Sequence, residues 1–269
     1  MKIITSIFDL NKEIKDYKNI GFVPTMGGIH AGHISLIKAS QNKKSKTIVS
    51  IFVNPTQFNK GDDFKKYPRN IQKDIAILEK LNVEYLFTPN TKDIYKFKAK
   101  KFNLKKKDKI LCAKYRIGHF EGVLNVMNRL MTIIKSKDLY MGEKDYQQLY
   151  LIKKFLSKKF KVRINSCPTI RINNIALSTR NKLLKKRSIK KASEIALFLK
   201  KVKYKSKFEV TKLASDLHNY KIKLEKKYHI KVDYLEFRDE KSLKLNNFKN
   251  KYRLFVAYEI DNVRLIDNY

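Results

Sequence analysis

Over residues 20–170 the chain alternates short, almost wholly apolar runs with longer stretches in which apolar side chains return every three or four positions. The runs at 20–24, 47–53, 83–89 and 138–141 are too short for helices and carry no polar face, which predicts strands buried on both sides. The stretches at 34–40, 70–81, 123–135 and 146–160 have the helical period. Strand-helix alternation predicts an α/β fold with a Rossmann-like, doubly wound parallel sheet. Residues 161–164 would add a strand ending at Cys167-Pro168. Beyond it the pattern changes to two long basic helices, 182–202 and 208–228, followed by antiparallel-looking strands at 232–237, 252–259 and 263–266. We therefore expect a Rossmann-like domain over 1–168 and a smaller α+β domain over 169–269.

Charge changes the picture less than its size suggests. The sequence holds 61 Lys and Arg against 25 Asp and Glu, a net charge of +36, which raises the possibility of a nucleic-acid partner. Yet only ten of the 61 are Arg, the residue suited to bidentate base and phosphate recognition, and the lysines are spread over the whole length. Abundant Lys, Asn and Ile beside few Gly and Pro and no Trp fits the codon bias of an AT-rich genome. No specific nucleic-acid partner is expected. The lysine-rich stretch 96–109 reads as a solvated loop or hairpin. Cys112 and Cys167 are too few for a disulfide framework and show no metal-ligand spacing, and no apolar run is long enough to span a bilayer. The expectation is a cytoplasmic protein with no membrane partner.

Against that background the glycines are informative. All eight lie in the first 142 residues, beside three of the five histidines. In Pro24-Thr-Met-Gly-Gly-Ile-His-Ala-Gly-His33, Gly27, Gly28 and Gly32 would let the main chain turn tightly and expose N–H groups as a helix opens, the makings of a phosphate cradle. His30 and His33, three apart, would share a helical face and donate to phosphate oxygens; a metal pair or a capping role fits the same spacing. Phe52-Val-Asn-Pro-Thr-Gln-Phe58 follows the next strand, where Asn54 and Gln57 offer neutral donors and acceptors; Asp62, Asp63, Tyr67, Pro68 and Arg69 lead on into a helix. Arg116-Ile-Gly-His-Phe-Glu-Gly122 comes next. In Met141-Gly-Glu-Lys-Asp-Tyr-Gln-Gln148, Lys144 can place charge on phosphate, Asp145 can cap the next helix, and Asp145 and Gln148 share a face. In Leu177-Ser-Thr-Arg-Asn181, hydroxyls and a guanidinium could clamp a triphosphate.

These five segments in this order resemble the pantothenate synthetase (pantoate:β-alanine ligase) family, within the HxGH nucleotidyltransferases that also include class I aminoacyl-tRNA synthetases. The resemblance implies an ATP- and pantoate-binding N-terminal domain, a C-terminal lid and a homodimer. It implies that Mg2+-bound ATP activates pantoate as pantoyl adenylate with release of pyrophosphate, and that β-alanine then displaces AMP; no tightly bound cofactor and no protein-held metal are implied. Catalytic roles would fall to His33, as proton donor, with His30 and Lys144 steadying phosphates. ATP would touch Met26, Gly27, Gly28, Ile29, His30, Ala31, Gly32, His33, Gly142, Glu143, Lys144, Asp145, Ile170, Leu177, Ser178, Thr179 and Arg180. Gln57 and Gln148 would hold pantoate, with Gln57 also meeting β-alanine. Three departures stand out: Thr179 replaces a Ser, Asn173-Asn174-Ile175 shortens an Asp-Gly turn by one residue and unsettles the register at Ile170 and Leu177, and Ile117 stands where proline commonly precedes Gly-His-Phe. The rival readings are another HxGH nucleotidyltransferase, which would not need the second and fourth segments, and a basic nucleic-acid-binding module.

Overall fold

In the computed structural model, which describes residues 1–43, 45–58, 64, 67–96, 99, 101–245, 248 and 251–269, the chain forms two compact units, Met1–Thr169 and Ile170–Tyr269. Asp62 and Asp63, and part of the lysine-rich stretch 96–109, lie outside the described residues.

The first unit is built on a six-stranded parallel sheet: β1 (Lys2–Ile4), β2 (Ile20–Thr25), β3 (Lys46–Ile51), β4 (Tyr85–Phe87), β5 (Asp138–Gly142) and β6 (Arg163–Cys167), in the spatial order β1-β4-β3-β2-β5-β6. Helices α1 (Ile7–Ile14), α2 (Ala31–Gln41), α3 (Ile71–Lys80), α4 (Thr91–Tyr95), α5 (Cys112–Tyr115), α6 (His119–Ile134) and α7 (Tyr146–Phe160) connect the strands. Phe22, Val23, Ile48, Val49, Leu86 and Phe87 are fully buried, as expected for strands covered on both faces.

Chain order runs outward from β2 through β3 to β4 on one side and from β5 to β6 on the other, so the strand order reverses between β2 and β5. Pro24 accentuates this switch point. With no N–H to give, it suits a place where the ladder runs on one side only. β2 pairs with β3 through Thr25↔Ile51, whereas its pairing with β5 is confined to Gly21↔Asp138 and Phe22↔Leu139. Toward their carboxyl ends β2 and β5 are thus not laddered to each other, and a switch point of this kind is where open α/β sheets bind ligands.

In the second unit a hairpin of β7 (Arg171–Ile172) and β8 (Ile175–Ala176) precedes α8 (Lys186–Tyr228) and the antiparallel sheet of β9 (Lys231–Asp239), β10 (Tyr252–Ile260) and β11 (Val263–Asn268). The two helices expected here are present as the two arms of α8, and the break between them is narrower than expected, a kink at the non-helical residue Glu209. The first of them begins later than expected, because residues Thr179–Leu183 form a 3-10 turn capped by Ser178. Ala192, Ile195, Leu199, Leu254 and Val256 are fully or almost fully buried in this unit's core. Asn173 and Asn174 both take positive φ, 49° and 65°, which makes the hairpin a two-residue turn of the I′ kind. Asparagine tolerates that conformation, so the shortened turn closes and Leu177 N donates to Ile170 O at 2.9 Å.

Candidate active site

The loop leaving β2 is tied down from behind. Thr25 Oγ1 donates to Ser50 O (2.8 Å) and accepts from Gly27 N (3.1 Å). The next two amides, Gly28 N and Ile29 N, both donate to the carboxylate of Asp74 at 2.8 Å. Asp74 sits in the first turn of α3 and is only 3% exposed. Gly27 and Gly28 have φ of 79° and 65°, and a Cβ on Gly27 would lie 2.9 Å from Asp74 Oδ2, so glycine at 27 is demanded by both conformation and space. This corrects the sequence reading of exposed amides: those of Gly27, Gly28 and Ile29 are consumed by protein acceptors, and these residues are buried. The half-buried Met26, His30, Gly32 and His33 and the exposed Ala31 present the outward face.

His30 is also placed differently from the expected shared helical face. It is the N-cap of α2, in an extended conformation, and its Nδ1 accepts from Gly32 N at 3.1 Å. An accepting Nδ1 puts the ring proton on Nε2. Glycine at 32 leaves room for that ring, since a Cβ there would meet His30 Cε1 at 2.9 Å. The two imidazoles come together nonetheless, stacked with centroids 4.1 Å apart. No acidic residue occupies the first turn of α2, so its positive end is not offset locally.

After β3, Pro55–Gln57 form a 3-10 turn capped by Asn54. Asn54 is 1% exposed; its Nδ2 donates to Gln57 Oε1 and Gly122 O (both 3.2 Å), and its Oδ1 accepts from Tyr95 OH (2.6 Å) and Thr56 Oγ1 (3.0 Å). Asn54 is therefore a knot between segments, not the open ligand group its sequence position suggests. Gln57 is 7% exposed and turns its Nε2 onto Met26 Sδ, joining the first two motifs. Thioether sulfur is a weak acceptor, so a carboxylate or hydroxyl oxygen would replace it favourably.

β5 ends at Gly142, where a Cβ would meet nothing within 4 Å, and leads through the 3-10 turn Glu143–Asp145 into α7. Lys144 Nζ lies 3.3 Å from Asp145 Oδ1. Asp145 occupies the cap position of α7, but its side chain makes no capping bond, contrary to expectation. Gln147 is buried and donates to Ile110 O at 2.7 Å, whereas Gln148 is half-buried. Burial first, then the nearby Glu143 charge, raises the Cys167 thiol's pKa above the usual value, which suits an inert side chain.

The structure thus brings the first four motifs to the carboxyl edge of one sheet. The fifth belongs to the second unit. There Ser178 Oγ accepts from Arg180 N at 3.2 Å, Asn181 Oδ1 accepts from Ser178 N, and Thr179 is buried. Arg171 anchors this segment with a bidentate pair to Asp267 (2.6 and 2.8 Å) and with its guanidinium 4.6 Å from the Tyr269 ring centroid. Sequence reasoning missed Asp74 and the Arg171–Asp267 pair, whose partners lie 45 and 96 positions away.

Fold and motifs define a class: Rossmann-like α/β proteins with a His-x-Gly-His loop at the switch point of the sheet. The profile of the pantoate-beta-alanine ligase family matches residues 2–269. A pantothenate synthetase of Flavobacterium psychrophilum is 39% identical over 264 residues, covering 95% of this chain and 93% of the relative. One from Francisella tularensis subsp. novicida is 42% identical, covering 96% and 92%. Among solved structures, pantothenate synthetase from Thermus thermophilus superposes with a TM-score of 0.92 at 29% identity, covering 100% of this chain and 99% of that one. Pantoate-beta-alanine ligase from Francisella tularensis, in complex with beta-gamma ATP and beta-alanine, gives 0.84 at 40% identity, covering 100% and 97%. The chain belongs to the pantoate-beta-alanine ligase family.

Proposed function

We propose that this protein joins (R)-pantoate to β-alanine with consumption of ATP, giving pantothenate, AMP and pyrophosphate through pantoyl adenylate. A carboxylate is a poor electrophile, so amide formation requires prior activation; in-line attack of the pantoate carboxylate on the α-phosphate transfers AMP and expels pyrophosphate. The β-alanine amine then attacks the acyl carbon, and AMP leaves. No covalent nucleophile is needed. ATP enters as its Mg2+ complex.

In this reading the outward face of Met26, His30, Ala31, Gly32 and His33 receives the nucleotide, with Gly27, Gly28 and Ile29 shaping it from within. His33 and the Nε2–H of His30 donate to the phosphates, with His33 as proton donor. Lys144 adds positive charge where negative charge builds up on the leaving pyrophosphate, and Gly142, Glu143 and Asp145 form the turn beside it that meets the nucleotide. Gln57 takes pantoate and β-alanine when its amide exchanges Met26 sulfur for a substrate oxygen, and the half-buried amide of Gln148 takes pantoate. Ile170, Leu177, Ser178, Thr179 and Arg180 serve ATP, and the chain works as a homodimer in the cytoplasm, with no specific nucleic-acid partner. Among the described residues no helix is long and apolar enough to cross a membrane.

The observation that carries the reading is the conjunction of two histidines, Gln57 and the Gly142–Asp145 turn at one unladdered switch point, in a chain 40% identical to a ligase that has been seen with beta-gamma ATP and β-alanine. Mass-spectrometric detection of pantothenate and AMP tests it. All three substrates and Mg2+ should be required together, and equal turnover with an unrelated small acid in place of pantoate would defeat the assignment.

A further inference from the structure

The third motif, residues 116–122, supplies none of the groups assigned above, although it packs directly against one of them. His119 opens α6, is 8% exposed, and its Nδ1 lies 2.6 Å from the backbone carbonyl of Gln57. Its Nε2 lies 2.8 Å from Arg116 Nη1, and Arg116 Nη2 reaches the same carbonyl at 3.5 Å. A guanidinium can only donate. Nε2 therefore accepts, the ring proton resides on Nδ1, and His119 is a neutral donor to Gln57 O whose tautomer Arg116 sets. The turn is also pressed from the other side: a Cβ on Gly122 would lie 2.3 Å from Thr56 O, and Gly122 O accepts from Asn54, which in turn donates to Gln57 Oε1.

We infer that His119 is a positioning residue for the acid substrates: it holds the main chain of Gln57 so that the Gln57 amide meets pantoate and β-alanine, and Arg116 serves by fixing its tautomer. A carboxamide held from both ends loses little freedom on binding, and that is where an indirect contact raises affinity. Because His119 acts through Gln57 and not through the phosphate groups, its loss falls on pantoate and spares ATP. The inference rests on the assignment of Gln57 to pantoate.

Chemistry supplies a discriminating substitution. The amide nitrogen of asparagine, like Nδ1, is bonded to Cγ, so His119→Asn keeps a donor facing the carbonyl; His119→Ala keeps none. His119→Ala should raise the pantoate KM about tenfold, the worth of one hydrogen bond, with the ATP KM within about twofold. His119→Asn should recover most of that loss. The double variant should behave as Gln57→Ala alone, since two residues acting through one contact are not additive. Equal rises in both KM values, no recovery by asparagine, or a full tenfold further loss on the Gln57→Ala background would each overturn the inference. An unaltered pantoate KM in Gln57→Ala itself would remove the Gln57 assignment and the clamp with it, and that outcome is read before any His119 variant is compared.

Discussion

His30 and His33 stack face to face, yet the structure gives them different work. His30 uses Nδ1 to cap α2 by accepting from Gly32 N. In the proposed reading His33 is the proton donor, and His33→Ala should slow single-turnover adenylation by about 10² to 10³, the loss expected for one donor to developing charge, with much less effect on ATP binding. An unchanged rate would take His33 out of the mechanism. Lys144 and Gln148 should separate in the same way. Lys144→Ala should depress adenylation, since phosphate charge peaks in the transition state, whereas Gln148→Ala should raise the pantoate KM with ATP affinity nearly intact. Titrating each variant with both substrates checks this; equal defects toward both in both variants would make the motif structural support. Candidate residues could be named from the chain because several chemistry-bearing side chains stand beside scarce glycines. Their partners were not: nothing in the spacing of Gly28 and Asp74 announces that a carboxylate 46 positions on takes the loop amide.

Among the elements, the buried parallel strands were legible as apolar runs, and the observed β2, β3 and β5 agree with expectation to within two residues at each end. The three-residue β1 and the eight-residue α1 were not, being too short to establish a period, although Ser6 caps α1 by accepting from Asp9 N at 3.0 Å. At the amino end of β5, Asp138 fastens β6: Arg163 donates from Nε at 3.0 Å and from Nη2 at 2.8 Å, and Asn165 donates at 2.9 Å. Burial alone would raise this carboxyl's pKa, but the hydrogen bonds from Arg163 and Asn165 and the charges of Arg163 and Lys43 outweigh it and hold it below the usual carboxylate value. A lowered folded-state value means stability that is present above the unfolded carboxylate range and lost as pH falls through the folded one. Asp138→Asn should therefore lower stability at pH 7 by about 1–2 kcal/mol, and its deficit should shrink as pH falls below about 4. Urea midpoints of both proteins across that range decide it; a deficit independent of pH would mean that packing, and not the ionised carboxylate, holds β6.

At the scale of the whole molecule, the net charge of +36 comes from lysines spread over the whole length of the chain. Four candidate motifs gather at the carboxyl edge of the parallel sheet, near the point where the strand order reverses; they were legible from sequence as motifs while their convergence was not, since it depends on the spatial order of strands that no local pattern states. In the proposed mechanism one carboxyl edge activates a carboxylate before the amine arrives. It is tested by measuring pyrophosphate release on mixing the enzyme with Mg2+, ATP and pantoate in the absence of β-alanine. A rapid burst stoichiometric with enzyme is expected, followed by sustained turnover only when β-alanine is added. Absence of any pyrophosphate until β-alanine is present would contradict an adenylate intermediate.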